Sequence, residues 1–402
     1  MKIAFFNQNI KQGGLDTFIL NLINNWPEID EVILFCNRSH PGFNFLSEQL
    51  AEKAVVVPYD FWIAQDISLK LAHLPNLIQR LARGFFWTVG FPYLIYKTGK
   101  LFKQFCPDRL MVINGGYPGG DACLAATIAW KLFGNGHPAW HNFHNLVLPY
   151  SLQPIRRLKE KLVDRFVIWS TAGFVTVSEA CMKTLNTRPI LCASRRSFIY
   201  NGINPVDTVS SASLSEEFGL ALDARLILML AVYEPRKGHD FVINAMDEVV
   251  RRFPKATLLI CGDGTAAEMN DVERLRDASP AAKNIILQGH RRDLGNLFSQ
   301  VDLLVVPSQG QESFGYTAVE AMASGCPVVV TDVGGLPEVV DNEGAGYVVR
   351  RDDVFALAER ICTLLYNEPL RKLMGEKGIQ RYNKMFKASR MSYEYYHLIN
   401  ND

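Results

Sequence analysis

Two carboxylates, Glu312 and Glu320, flank what reads as a helix start in the stretch Val301–Val340. Asp302 to Pro307 is a short apolar run of the buried-strand kind, and Ser308 to Ser313 is a polar loop. From Phe314 the residues Ala318, Val319, Ala321, Met322 and Ala323 fit a helix that Gly325 stops, and Pro327 to Thr331 is a second strand. At the helical rise per residue, Gly315 to Glu320 spans roughly 7–8 Å. A helix N-terminus preceded by small residues offers N–H donors and a positive dipole end, which favours phosphate. Carboxylates on both sides of a bound diphosphate can accept hydrogen bonds from two sugars joined through it. The pattern therefore fits a nucleotide sugar, with the donor sugar near Glu312, the diphosphate at Phe314–Thr317 and the ribose near Glu320. Taken as two glutamates alone, they read better as a solvated loop acid, Glu312, and a helix-surface residue, Glu320.

Other groups could complete such a site. Gly13-Gly14 lies between a first strand, Lys2–Phe6, and a helix, Leu15–Ile23, with Phe18, Ile19, Leu22 and Ile23 on one face. Tyr233–His239, YEPRKGH, follows a strand over Arg225–Val232 and brings two cations, Arg236 and Lys237, into one loop. HPAWHNFHN (137–145) holds three of the eight histidines; His137 and His141 share one strand face and His144 the other, which argues against a metal set. Gly262-x-Gly264-x-x-Ala267 imitates a dinucleotide fingerprint, but the next strand, Asn284–Gln288, ends in Gly289-His290-Arg291 with no acid for a ribose.

The elements that position these groups belong to an α/β protein of 402 residues, long enough for two domains. Hydrophobic residues at 48% and charged residues at 21% describe a globular chain, and a net charge of +1 argues against nucleic acid as partner. The eight cysteines show no C-x-x-C and suit a reduced, cytoplasmic protein. The start reads as strand and turn, not as a signal peptide. Further strands are expected at Glu31–Cys36, Ala54–Val57 and Arg109–Ile113, and an aromatic-rich helix at Tyr382–Ile399. Pro205–Ser215 reads as a linker.

Asn76 to Arg109 carries six basic residues against Asp108 alone, interleaved with Phe85, Phe86, Trp87, Phe91, Tyr93, Tyr96, Phe102 and Phe105. It is too broken by Gly90 and Pro92 to span a bilayer. Two readings stand level: a buried helix pair with a basic rim, and a segment on an anionic membrane surface through Arg80, Arg83, Trp87, Lys97 and Lys100. A second basic patch, Arg156, Arg157, Lys159, Lys161 and Arg165, could extend that face.

Pro307–Val329 resembles the signature P-S-x-x-E-x-F-G-x-x-x-x-E-A-M-A-x-G-x-P-V-V of the family 4 (group 1) retaining glycosyltransferases, with Glu312 and Glu320 as its E-x7-E pair. The turn Ile199–Asn204, IYNGIN, matches the same family. The resemblance implies the glycosyltransferase B fold, two facing Rossmann-like domains with an interdomain cleft. It divides the chain into an acceptor domain, 1–203, joined by a returning C-terminal helix, 385–402, and a donor domain, 204–384. It also implies sugar transfer from a nucleoside diphosphate sugar to an acceptor hydroxyl without metal or other cofactor. The acceptor would be a saccharide or lipid-linked saccharide of surface polysaccharide or lipopolysaccharide synthesis, with peripheral contact on the inner face of the cytoplasmic membrane. By position Glu312, Lys237 and His144 are implied as catalytic. Gly14, Arg236, Ser313, Phe314, Gly315, Tyr316, Thr317, Glu320, His290 and Arg291 are implied as donor contacts. The family's usual arginine is replaced by Val232, so Arg236 is the candidate second cation. A nucleotide-sugar epimerase of the same fold and a non-catalytic membrane-surface protein are the alternatives.

Overall fold

In the computed structural model the chain forms two compact α/β units, Met1–Gly202 with Ala388–Asp402, and Ile203–Lys387. The structure describes every residue except 28, 62, 64–70, 72, 207–212, 222 and 401–402, so 207–212 of the expected linker lie outside it. The side chains of Arg80 and Arg83 are also outside the described set.

The first unit is built on seven parallel strands: β1 (Lys2–Gln8), β2 (Glu31–Asn37), β3 (Val55–Tyr59), β4 (Arg109–Asn114), β5 (Ala139–Phe143), β6 (Thr171–Thr176) and β7 (Arg195–Phe198). Their order is β3-β2-β1-β4-β5-β6-β7. The central strands β1, β2 and β4 are buried almost throughout, as their near-continuous apolar runs require of parallel strands covered on both faces. The helix Gly14–Asn24 buries Phe18, Ile19, Leu22 and Ile23, the face expected from their spacing.

The second unit holds β8 (Arg225–Leu230), β9 (Ala256–Cys261), β10 (Ile285–Gln288), β11 (Leu303–Val306), β12 (Val328–Thr331) and β13 (Gly346–Val349). The order is β10-β9-β8-β11-β12-β13, again parallel. In each unit the chain order reverses at one point, between β1 and β4 and between β8 and β11. The crevice beyond the strand ends at such a reversal is where open α/β sheets bind ligands, because the two flanking loops diverge there.

Two expectations need correction. The strand opening the second unit stops at Leu230, two residues short of Val232. The helix expected over Tyr382–Ile399 is two helices, Glu368–Met385 and Ala388–Asn400. Between them Phe386 leaves helical geometry and is fully buried, and its carbonyl accepts a hydrogen bond from the Ile203 N–H at 2.9 Å. The last helix then packs in the first unit, where Asn142 donates to the Tyr395 hydroxyl at 2.9 Å and Ser392 to the Leu22 carbonyl at 2.9 Å.

Asn76–Arg109 has the buried aromatic side and the exposed basic rim of the helix-pair reading. It folds as helices Asn76–Phe85 and Phe91–Phe105 joined by a π-helical turn, Phe86–Gly90. Phe86, Phe91 and Phe102 are core, whereas Phe85, Tyr93 and Tyr96 are exposed, the two tyrosines under Lys97 and Lys100.

Candidate functional site

The site in the second unit is assembled by the loops after β8 and β11. After β8 the chain makes a 3-10 turn, Pro235–Lys237, and passes through Gly238 at φ 76° into the helix His239–Arg252. A Cβ on Gly238 would lie 2.0 Å from the Pro307 carbonyl oxygen, so only glycine lets this loop touch the end of the β11 segment. The contact is fastened where Gln309 N–H donates to the Arg236 carbonyl at 2.8 Å. That brings Lys237 Nζ to 2.5 Å from Glu312 Oε2, across 75 residues of sequence.

Glu312 is held on its other sides too. Ser308 Oγ donates to the same Oε2 at 3.2 Å, and the Ser308 carbonyl accepts from Thr331 Oγ1 at 2.5 Å. The Glu312 carbonyl accepts from Gly335 N–H at 3.0 Å. A Cβ on Gly334, at φ 58°, would stand 1.7 Å from that carbonyl oxygen, and one on Gly335 would stand 2.5 Å from the Ser313 carbonyl oxygen. Gly334-Gly335 is therefore the strap that fixes the backbone of Glu312 and Ser313. Ser308 and this strap are the partners that sequence reasoning did not assign; the P-S at the start of the signature and the paired glycines were their only signal.

The helix expected from Phe314 begins at Tyr316 and runs to Ala323, with Gly315 in the left-handed region at φ 103° as its N-cap. Phe314 is buried, its ring 5.8 Å from Phe386, and so anchors the entry to the helix. Ser313, Phe314, Gly315, Tyr316 and Thr317 thus lie at or just before the helix N-terminus, as the anion-binding argument requires. Glu320 sits on the second turn, half-buried, and burial pushes its carboxyl up to about 7.

The second cation is differently employed. Arg236 Nε lies 2.5 Å from Glu234 Oε2, and its Nη1 donates to the Gln311 carbonyl at 3.1 Å. Its guanidinium here ties the two loops together, a role no sequence pattern announced. Arg291, beyond β10, is occupied by two carboxylates, with Nη1 2.5 Å from Glu217 Oε1 and Nη2 2.6 Å from Asp293 Oδ2. His290 beside it is exposed. The Gly262-x-Gly264 pair has a packing cause: a Cβ on Gly262 would meet the Ala231 carbonyl oxygen at 1.9 Å, and one on Gly264 the Tyr233 side chain at 2.8 Å.

In the first unit Gly14 is exposed at the start of its helix. Asp16 steadies the preceding loop by accepting from Gly13 N–H at 3.0 Å and from Asn9 Nδ2 at 3.0 Å, and it meets His40 Nε2 at 2.9 Å. His144 follows β5 directly, its ring 4.0 Å from that of Phe18, and burial lowers its pKa to about 3. His141 is fully buried with Nδ1 3.1 Å from Thr127 Oγ1, a structural placing.

The family model of the group 1 glycosyl transferases matches residues 210–381. The chain is 34% identical over 200 residues to a phosphatidyl-myo-inositol mannosyltransferase of Mycobacterium leprae, covering 48% of this chain and 51% of that protein. It thus spans about half the length of the curated relatives it matches. Among solved structures it superposes on a glycosyltransferase of Rickettsia africae with TM-score 0.77 at 17% identity, covering 99% and 97% of the two chains. It superposes on Alr3699/HepE of Anabaena, in complex with UDP, with TM-score 0.75 at 19% identity, covering 99% of each chain. The matched segment carries the Lys237–Glu312 pair and the glycine strap behind it, and the chain has the glycosyltransferase B fold of these solved structures.

Proposed function

We propose that the protein transfers a sugar from a nucleoside diphosphate sugar to an acceptor hydroxyl with retention of configuration. The observation that carries this reading is the Lys237–Glu312 pair, 2.5 Å apart beside the start of the helix Tyr316–Ala323. In the proposal the diphosphate takes up Lys237 and the N–H groups at Phe314–Thr317, which stabilise the charge that develops as the sugar–phosphate bond breaks. Glu312, released from Lys237, then accepts from the donor-sugar hydroxyls, and Glu320 accepts from the ribose. Arg236 reaches the diphosphate only by leaving Glu234. Fixed cations and N–H dipoles supply here what a bound metal supplies elsewhere, and the departing phosphate accepts the proton of the acceptor hydroxyl. Gly14 and His144 are carried as reactant contacts of the first unit, and His290 with the backbone beside Arg291 as contacts of the base.

The mannosyltransferase name of the Mycobacterium leprae relative, with its phosphatidyl-inositol acceptor, supports a lipid or lipid-linked acceptor for this chain as well. Peripheral membrane contact through Trp87, Lys97 and Lys100 belongs to the same proposal. No helix among the described residues is long and apolar enough to cross a membrane.

The test is a thermal-shift screen against UDP, GDP, ADP and TDP and their sugars, with and without EDTA, followed by turnover of Lys237→Ala and Glu312→Ala. One nucleotide raising the melting temperature regardless of EDTA, and loss of turnover by orders of magnitude in both folded variants, is the expected result. Undiminished turnover in both variants sinks the site assignment. Product formed without any acceptor makes the protein an epimerase instead.

A further inference from the structure

The helix Pro154–Ser170 is apolar on the side that faces water. Its core side carries Asp164, Val167 and Ser170, all buried, with Val163 and Ile168 packed on the same cluster. Away from the core it exposes Ile155 (86%), Leu158 (71%), Leu162 (52%), Phe166 (48%) and Trp169 (53%), with Leu152 (97%) just ahead of the helix. At 100° per residue these five helical positions fall in an arc of about 80°, roughly opposite the buried side. Scattered exposed apolar residues are ordinary, but a continuous stripe along four turns of one helix is the mark of a surface that something covers.

The charges around the stripe say what kind of surface covers it. The helix has five basic residues, Arg156, Arg157, Lys159, Lys161 and Arg165, and two acids, Glu160 and Asp164. Both acids turn inward to the buried Arg188, at 3.1 Å and 3.3 Å. Arg165 and Lys161 follow one edge of the stripe, with Arg157 further round the helix, while Arg156 pairs with Glu160 Oε1 at 3.1 Å. On the other edge Lys159 lies 3.3 Å over the ring of Trp87, which joins the stripe to the π-helical turn and its exposed Val89. Lys131 lies 5.9 Å from the Trp169 ring at the far end. An apolar stripe with a cationic border on a helix of 17 residues, too short to span, suits the interface plane of a bilayer with anionic headgroups.

We propose that the helix Pro154–Ser170 is the main membrane-docking element of this protein, inserting its apolar stripe at the surface of an anionic bilayer. This deepens the membrane part of the proposed function but is independent of the transfer chemistry. It also moves the centre of contact from the Asn76–Arg109 segment to this helix.

The experiment is vesicle flotation of the full chain, with pure phosphatidylcholine and with phosphatidylcholine containing phosphatidylglycerol. Wild type is expected to float with the anionic vesicles, more weakly at high salt. The variant Leu158→Ser/Leu162→Ser/Phe166→Ser, which changes only exposed side chains, is expected to stay at the bottom with an unchanged melting temperature. Arg157→Gln/Lys161→Gln/Arg165→Gln is expected to lose on the order of a hundredfold in partitioning, at about fivefold per basic residue. Lys97→Gln/Lys100→Gln is expected to lose less than the arginine–lysine triple. Wild type that stays at the bottom with anionic vesicles, or a serine variant that floats as wild type does, overturns the proposal. So does a wild-type dimer in analytical ultracentrifugation that the serine variant dissolves, since the stripe would then be an interface between two copies. The nucleotide thermal shift, measured without lipid, reads the transferase proposal separately.

Discussion

Replacing Gly334 by alanine strikes the site through its backbone support without touching a charged group. Gly334 holds φ 58°, a left-handed conformation that costs a residue with a Cβ about 1–2 kcal/mol. The new Cβ would also lie 1.7 Å from the Glu312 carbonyl oxygen and 2.7 Å from its carbonyl carbon, so backbone must move by more than an ångström. Overpacking of that kind costs about 1–3 kcal/mol. Against this, alanine restrains the unfolded chain and returns about 0.4–1 kcal/mol. The net loss centres on about 3 kcal/mol, which for a unit of this size is a melting temperature lower by roughly 6–12 °C. The contrast is Gly310→Ala, in the same loop system, where the added Cβ meets only Arg236 Cβ at 4.0 Å and stability should stay within about 0.5 kcal/mol. Differential scanning calorimetry on the two variants and wild type checks both statements. Turnover of Gly334→Ala should fall with that of Glu312→Ala, because Glu312 cannot keep both its strap and its lysine. A Gly334→Ala protein that melts within about 2 °C of wild type refutes the strap argument.

Two more outcomes follow from buried charge. Burial raises the Glu320 carboxyl to about 7, above its unfolded value, so the folded protein binds more protons than the unfolded chain between those values. Its contribution is therefore lost as pH rises from about 4.5 to 7, and Glu320→Gln should gain melting temperature relative to wild type at pH 8 but not at pH 5; an equal difference at both pH values refutes it. Arg188, 1% exposed, is shared by Asp164, Glu160 and the Leu148 carbonyl, while Tyr117 and Tyr150 each donate to Asp164 at 2.7 Å. Arg188→Ala strands that carboxylate and should cost about 3–5 kcal/mol in urea unfolding; a loss below about 1 kcal/mol would mean that solvent reaches the cluster.

Much of the site could be read from the chain because its parts are local. The strand, loop and helix around Glu312 and Glu320 are fixed by apolar runs, by Gly315 and by Gly325, all within two dozen residues. The same holds for the helix after Gly13-Gly14, whose buried face is a matter of period alone. Where a segment's pattern was compatible with two environments, as between Asn76 and Arg109, the residues did not choose; packing on the helix Asp121–Phe133 did. There a Cβ on Gly99 would meet Phe133 Cδ2 at 2.2 Å, and it is this close approach that buries one side and leaves Tyr93 and Tyr96 outside.

What the sequence determined by itself is the set of local units: parallel α/β architecture, the loop leading into a helix N-terminus, and two glutamates and a lysine of suitable chemistry. What only the tertiary structure decided is which distant groups meet. Lys237 and Glu312 are joined because β8 and β11 are neighbours at a sheet reversal and because Gly238 lets their loops touch. Arg236 and Arg291 carry the same charge as Lys237, yet they are committed to Glu234 and to Glu217 and Asp293. The outward leucines of Pro154–Ser170 were no more legible, since an apolar period marks one face of a helix without saying whether protein or solvent lies against it. Pairing across long sequence separation depends on strand order and on the backbone clearances of a few glycines, and neither is written in the residues that pair.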